Sequence, residues 1–369
     1  MTLQAALPRE LYVDPLAWQR ERDHVLLREW VCVGRLDDLG LHEADRVAVV
    51  EVLGESLLVT SDAQGDLHAA YNVCRHRGSQ LFPTEPGSGP QLCGARSIRC
   101  PYHSWTYGLD GSLLRAPHTE EGDVEPSEFS LHAVGVEAWG GFVFVHPTPA
   151  SAAPLTESVG RATRTLANYD LGALVTGLLF TYEVAANWKV VAENYNECYH
   201  CGPVHPELSR LVPSFAGGGQ GLDWDEGIPH REGAWTFTMS GTTERSPLPG
   251  LNEAEKVRHK GELVYPNLML SCSADHVAAF TLQPVAVDRT LIECRLLFAA
   301  DEVARETFDP SDAGDFWDMV NRQDWAICES VQRGMSSRAY THGWFAPMED
   351  DSADIRRWLL PKLKRDESR

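Results

Sequence analysis

The rhythm of apolar and polar residues changes along the chain. Between Leu3 and Trp30, apolar Leu16, Val25, Leu26 and Trp30 recur among Arg and Glu at helix-like spacing, with Pro15 as an opening residue. This predicts a helical N-terminal segment over residues 1–40. From about Asp45 the period shortens toward two. Residues 46–53, 55–60 and 67–73 read as strands, with a turn at 62–66. Gly and Pro crowd residues 83–94, which marks loops, and strand signals continue to 142–146. Pro147 and the small residues of 148–154 mark a boundary. Beyond it the pattern predicts helices at 155–168, 188–201 and 312–334 and strands at 178–185, 234–240, 276–284 and 289–299. Their long connections favour an antiparallel sheet over repeated βαβ units. The expected fold class is therefore α+β. A small all-β domain spans 41–148 and a second domain spans 149–369, ending in a charged, frayed tail at 362–369.

A chain of 369 residues has room for two domains. Its 53 acidic against 32 basic residues give a net charge of −21, which argues against a nucleic-acid partner. No stretch approaches the ~18 apolar residues of a membrane span. Residues 1–10 lack a basic start followed by an apolar run, so a cytoplasmic location is expected. Nine Cys is an odd number in a long chain, a poor basis for a disulfide framework. With fourteen His beside them, metal ligation is the better question.

Two constellations answer it. The first is Cys74-Arg-His76 with Cys100-Pro-Tyr-His103. Two Cys and two His can hold one zinc ion, or a [2Fe-2S] cluster with Cys on one iron and His on the other. Arg77-Gly78 and Ser104-Trp105 place both pairs in loops, which favours the cluster.

The second runs from Asn187-Trp-Lys to His205-Pro206. A helix through it sets Glu193, Glu197 and His200 on one face, and Gly202-Pro203 then breaks it so that His205 can return to the same point. Two His near a carboxylate suit Fe(II) with positions open for O2. The third ligand is expected on the helix after Asp312. There Trp317, Val320, Ile327 and Val331 form an apolar stripe that includes Asp324. A carboxylate facing a core is costly unless paired or metal-bound, so Asp324 ranks first and Asp318 second.

Cys-Arg-His-Arg-Gly at 74–78 and Cys-Pro-Tyr-His-Ser-Trp at 100–105 resemble the cluster loops of Rieske non-haem iron oxygenases. One departure is Ser104, where the family usually has Gly. The segment 187–206 resembles that family's mononuclear iron motif, and similarity runs from Leu11-Tyr12 to Ser337-Arg-Ala-Tyr340. The resemblance implies a Rieske cluster on Cys74, His76, Cys100 and His103. It implies iron on His200, His205 and a carboxylate in the region of Gln323-Asp324-Trp325, and a catalytic domain of helix-grip, START-like form. It also implies that Glu197 links the two centres across a subunit boundary of a homotrimer, carrying electrons from His103 to His200. Glu at this place, where ring dihydroxylases mostly have Asp, resembles the branch acting on choline, glycine betaine, carnitine and proline betaine. The implied reaction is O2-dependent N-demethylation or C–H hydroxylation of such a small molecule. NAD(P)H is then used indirectly, through a flavin/iron-sulfur reductase or an intervening ferredoxin, since the chain shows no Gly-rich dinucleotide motif.

Asn194 is a candidate for the oxygen side of the iron. Trp235, Phe237, Tyr265, Phe280 and Trp344 are candidates for a cage around a quaternary ammonium group. Two rival readings are an oxygenase of an aromatic or other neutral molecule and, in a different class, a zinc-binding protein or ferredoxin-like carrier. A carrier leaves His200, His205 and Asp324 without a purpose.

Overall fold

The computed structural model describes residues 3–84, 91–120, 122–219, 221–352 and 354–367. The chain divides into two compact units, one of residues 1–25 with 158–369 and one of 26–157. The smaller unit thus begins at Leu26 rather than 41, because Val31–Arg35 is a strand of its sheet and not part of a helical segment.

That sheet has seven antiparallel strands. Val31–Arg35 lies at one edge and Gln91–Gly94 at the other. The latter falls inside the Gly/Pro-rich stretch 83–94, of which 85–90 lie outside the described residues. Alternation along Arg46–Val52 and Glu55–Ser61 sends residues to opposite faces. Val47, Val49 and Leu58 join a core that contains Cys74, Cys100, Trp105 and Tyr107. Ala48, Val50, Leu57 and Val59 join a separate core with Val143 and Val145. Both faces are covered, which is why these strands read as nearly continuous Val and Leu.

The larger unit holds a six-stranded antiparallel sheet. Its order is Leu174–Val184, Arg289–Ala299, Val277–Ala286, Leu268–Cys272, Arg258–Val264 and Ile228–Pro229. The helix Ser311–Met335 packs on the first strand, where Gly314 admits Leu178 so closely that a Cβ would clash. The predicted strand at 234–240 does not form. Thr238 Oγ1 donates to the Thr242 carbonyl at 2.8 Å and Gly241 takes φ +82°, so the segment folds into turns instead.

The N-terminal helix Pro15–His24 is tied to the helix Trp188–Tyr195 by a buried pair. Glu21 accepts from Lys189 Nζ at 2.7 Å and from Trp188 Nε1 at 2.6 Å, with both charged side chains fully buried. Such a pair holds a register because removing one partner strands the other charge. No helix among the described residues is long and apolar enough to cross a membrane. The tail expected to fray is helical over Asp354–Glu367.

Candidate metal centres and substrate cavity

In the smaller unit, two loops of matching design bring four side chains together. Each turns back on its Cys: Gly78 N–H donates to the Cys74 carbonyl at 3.0 Å and Ser104 N–H to that of Cys100 at 3.1 Å. Gly78 (φ +71°) and Ser104 (φ +63°) both lie in the left-handed region, where Gly is at ease and Ser is not. Arg99 Nη2 donates to Ser104 Oγ at 2.8 Å, a contact Gly cannot make. Cys74 and Cys100 are buried, while His76 and His103 are exposed with ring centroids 4.6 Å apart. Trp105 stacks on His76 at 5.1 Å. Burial pushes the Cys74 thiol up, so a thiolate there requires a nearby positive charge. Desolvation, with His76 and Arg77 beside it, holds His103 below its ordinary value, toward the neutral form a ligand needs. Buried thiolates and outward imidazoles are the donor set of a Rieske cluster, and they fit it.

In the larger unit, His200, His205 and Asp324 converge, with one ligand atom of each within 4.8 Å of the others. Asp324 Oδ1 lies 2.9 Å from His205 Nε2 and 3.3 Å from His200 Nε2. The opposite nitrogen of each ring is also engaged. His200 Nδ1 meets Glu197 Oε1 at 2.5 Å, and His205 Nδ1 meets Gln323 Oε1 at 2.7 Å. Gln323 Nε2 in turn donates to Glu207 at 3.3 Å. Both Nε2 atoms are thereby aimed at the carboxylate, with orientation set from behind. Burial opposes the charged form of His200, yet Asp324, Cys201 and Glu197 around it hold its pKa up to about 12. Burial likewise opposes the Asp324 carboxylate, and His200 and His205 hold its pKa below the ordinary range. The site calls for a cation among these three groups, and two His with one carboxylate fit iron with open positions.

The route to this geometry differs from a continuous helix. The helix ends at Tyr195, with Asn196 as its cap, so Glu197 and His200 sit on the following turns. Glu197 caps that turn by accepting from the backbone N–H of Tyr199 and of His200. Glu193 stays on the helix and points elsewhere, accepting from Tyr12 Oη at 2.5 Å. On Ser311–Met335, Trp317 and Val320 are buried beside Asp324 as the stripe implied, but Ile327 and Val331 are exposed. Asp318 accepts from Tyr182 Oη at 2.8 Å and pairs with Arg322, and is not a ligand. Neither Cys198 nor Cys201 belongs to the metal-ligating group. Gln323 carries no spacing signal of its own; its place beside Asp324 was the only hint.

A cavity of about 410 Å³ opens on the triad, lined by Asn194, Phe280, Trp317 and Asp324 among others. Asn194 Nδ2 lies 3.4 Å from His200 Nε2. Of the cage candidates, Phe237, Tyr265 and Phe280 line this cavity. Trp344 is exposed on the strand His342–Phe345, and Trp235 is not among the lining residues.

Comparison with known proteins agrees with both centres. Residues 171–364 match the family model of the ring hydroxylating alpha subunit (catalytic domain), and residues 29–136 match the Rieske [2Fe-2S] domain. The chain is 30% identical to the carnitine monooxygenase oxygenase subunit of Acinetobacter baumannii, covering 90% of this chain and 86% of the relative. It is 28% identical to the glycine betaine monooxygenase oxygenase subunit of Pseudomonas aeruginosa, covering 92% and 84%. Among solved structures, the quaternary ammonium Rieske monooxygenase CntA aligns with a TM-score of 0.76 at 25% identity, over 98% of this chain and 96% of that one.

Proposed function

The chain belongs to the ring-hydroxylating alpha subunits that carry a Rieske domain, and from this premise we propose that it hydroxylates or N-demethylates a quaternary ammonium compound. The carrying observation is the triad of His200, His205 and Asp324 opening on a cavity walled by Phe280 and Trp317, whose ring centroids lie 5.9 Å apart. Aromatic faces attract a cationic nitrogen while excluding water. The relatives' names, carnitine and glycine betaine monooxygenase, support this class.

In this reading Cys74, Cys100, His76 and His103 hold the cluster, and His200, His205 and Asp324 hold the mononuclear iron. Iron there supplies activation of O2, with single electrons delivered from a reductase through the cluster. The chain's own residues do the positioning. Glu197 keeps a proton on His200 Nδ1 and so presents Nε2 as the ligand, and Gln323 does the same for His205. Asn194 offers its amide N–H at the cavity side of His200. The exposed His76 and His103 suit electron entry. Glu197 has the place that links a cluster His of one chain to His200 of the next, which requires an assembly such as a homotrimer. The partner is a flavin/iron-sulfur reductase, reached directly or through a ferredoxin.

The test is oxygen-dependent NAD(P)H use with a surrogate reductase. Product formation is scored for quaternary amines against aromatic acids. Turnover of a quaternary amine with stoichiometric oxygen use is expected. Turnover of aromatic acids alone overturns the substrate class.

A further inference from the structure

The hairpin joining Leu268–Cys272 to Val277–Ala286 carries charge into the core at its tip. Asp275 is 2% exposed and His276 fully buried, and neither belongs to the metal-ligating group or to the cavity lining. The turn closes where the Ser273 N–H donates to the His276 carbonyl at 2.9 Å. Around it the polar side chains form a continuous series. Asp275 Oδ2 accepts from Arg245 Nε at 2.9 Å. Asp275 Oδ1 accepts from Thr236 Oγ1 and lies 2.9 Å from His276 Nδ1. His276 Nε2 in turn accepts from Trp317 Nε1 at 2.8 Å. An indole N–H can only donate, so Nε2 holds the lone pair and the ring proton sits on Nδ1, facing the carboxylate. Burial opposes the charged form of Asp275, yet His276, Arg245 and Thr236 hold its pKa well below the ordinary carboxylate range.

This network grips the long helix at two points. Arg245 Nη1 donates to Asp312 Oδ1 at 2.6 Å, in the first turn of Ser311–Met335, and His276 takes the Trp317 N–H. Trp317 stands about two helical turns before Asp324, on the same face. Its ring forms the cavity wall together with Phe280 and with Phe237, whose centroid lies 5.5 Å away at 89°. The N–H is thus drawn out of the cavity into the hairpin, and the indole turns carbon alone toward a ligand. A buried N–H left unpaired is costly, so without His276 the ring gains by turning toward cavity water.

Resting on the oxygenase reading above, we propose that Asp275 and His276 are positioning residues that lock the Trp317 indole in one orientation, and that this orientation sets how tightly a small substrate seats beside the triad. His276 is the place to break the lock. Its loss leaves Asp275 paired with Arg245 and Thr236, whereas loss of Asp275 strands the buried Arg245.

A double-mutant cycle on the anaerobic holoenzyme tests this by calorimetric titration with glycine betaine, carnitine, choline and benzoate. His276→Leu removes the acceptor, and Trp317→Phe removes the N–H. At unchanged iron and sulfide content, each is expected to weaken binding of the amine roughly tenfold, and the double variant is expected to lose no more than Trp317→Phe alone. His276→Gln, which keeps an acceptor for the indole and a donor for Asp275, is expected to restore binding to within about twofold of the unaltered protein. Unchanged affinity in His276→Leu, or losses that simply add, overturn the proposal and leave a quaternary ammonium oxygenase standing. If His276→Leu does not fold, Trp317→Phe decides, and unchanged affinity there overturns the proposal. Binding of benzoate and of no amine, with the same non-additive losses, overturns the substrate class and leaves the lock on Trp317 standing.

Discussion

The smaller unit draws all four candidate cluster ligands from two short segments between Cys74 and His103, each closed by its own backbone turn. The triad instead joins His205 to Asp324 across 119 residues. It depends on a buried ion pair at Lys189, on a capped turn at Glu197 and on the long helix Ser311–Met335. Local loops leave two imidazoles in solvent, where electrons can enter. The long-range assembly places its ligands beside a cavity and lets separate side chains hold each one from behind. An electron port can therefore be carried by a few residues of spacing, whereas a site for substrate chemistry needs the whole unit to orient it.

Substitutions that empty one centre and spare the other have the largest expected effect. Asp324→Ala should abolish turnover and reduce iron from about three to about two per chain with sulfide unchanged. Cys74→Ser should abolish turnover while removing sulfide and the cluster's visible absorption, leaving about one iron. Loss of both metals from either variant would show that the centres do not fold independently.

Glu197→Gln sharpens the comparison from the side of the linkage. Cluster and iron contents should stay intact while turnover drops roughly 10- to 100-fold, measured under saturating reductase. Full activity would deny Glu197 any role beyond capping its turn.

Gln323→Leu should weaken iron about tenfold in a chelator competition, without altering the cluster spectrum, because His205 loses the group that orients it. Unchanged retention of iron would mean that packing alone holds that ring.

The smallest effect concerns the helix beneath the triad. Burial raises Glu193 from 4.5 to about 8, so the folded chain binds a proton there that the unfolded chain has released. Stability is then fully present below pH 4.5 and is lost as pH rises through about 8. Glu193→Gln should flatten the fall in Tm across that window by roughly 2–4 °C per kcal/mol of linkage removed. An equally steep profile in the variant would place the titration elsewhere.

Spacing made the meeting of Cys74, His76, Cys100 and His103 legible because each loop closes over four residues and needs nothing distant. His200 and His205 were legible for the same reason, with Gly202 and Pro203 announcing the break. Asp324 was reached by a partly faulty route: Trp317 and Val320 are buried beside it, but Ile327 and Val331 face solvent. Glu193 was misplaced, since the helix stops at Tyr195 and only Glu197 turns toward His200. Gln323 was legible only as a neighbour of Asp324. Its role depends on what stands opposite it in three dimensions, and an isolated amide has no period. The apparent strand at 234–240 failed because Thr238 and Gly241 satisfy its backbone locally.

The measurement that bears most directly on the account is iron and acid-labile sulfide per chain in protein purified without air. About three iron and two sulfide are expected, two iron in the cluster and one at the triad. One zinc with no sulfide would contradict both centres.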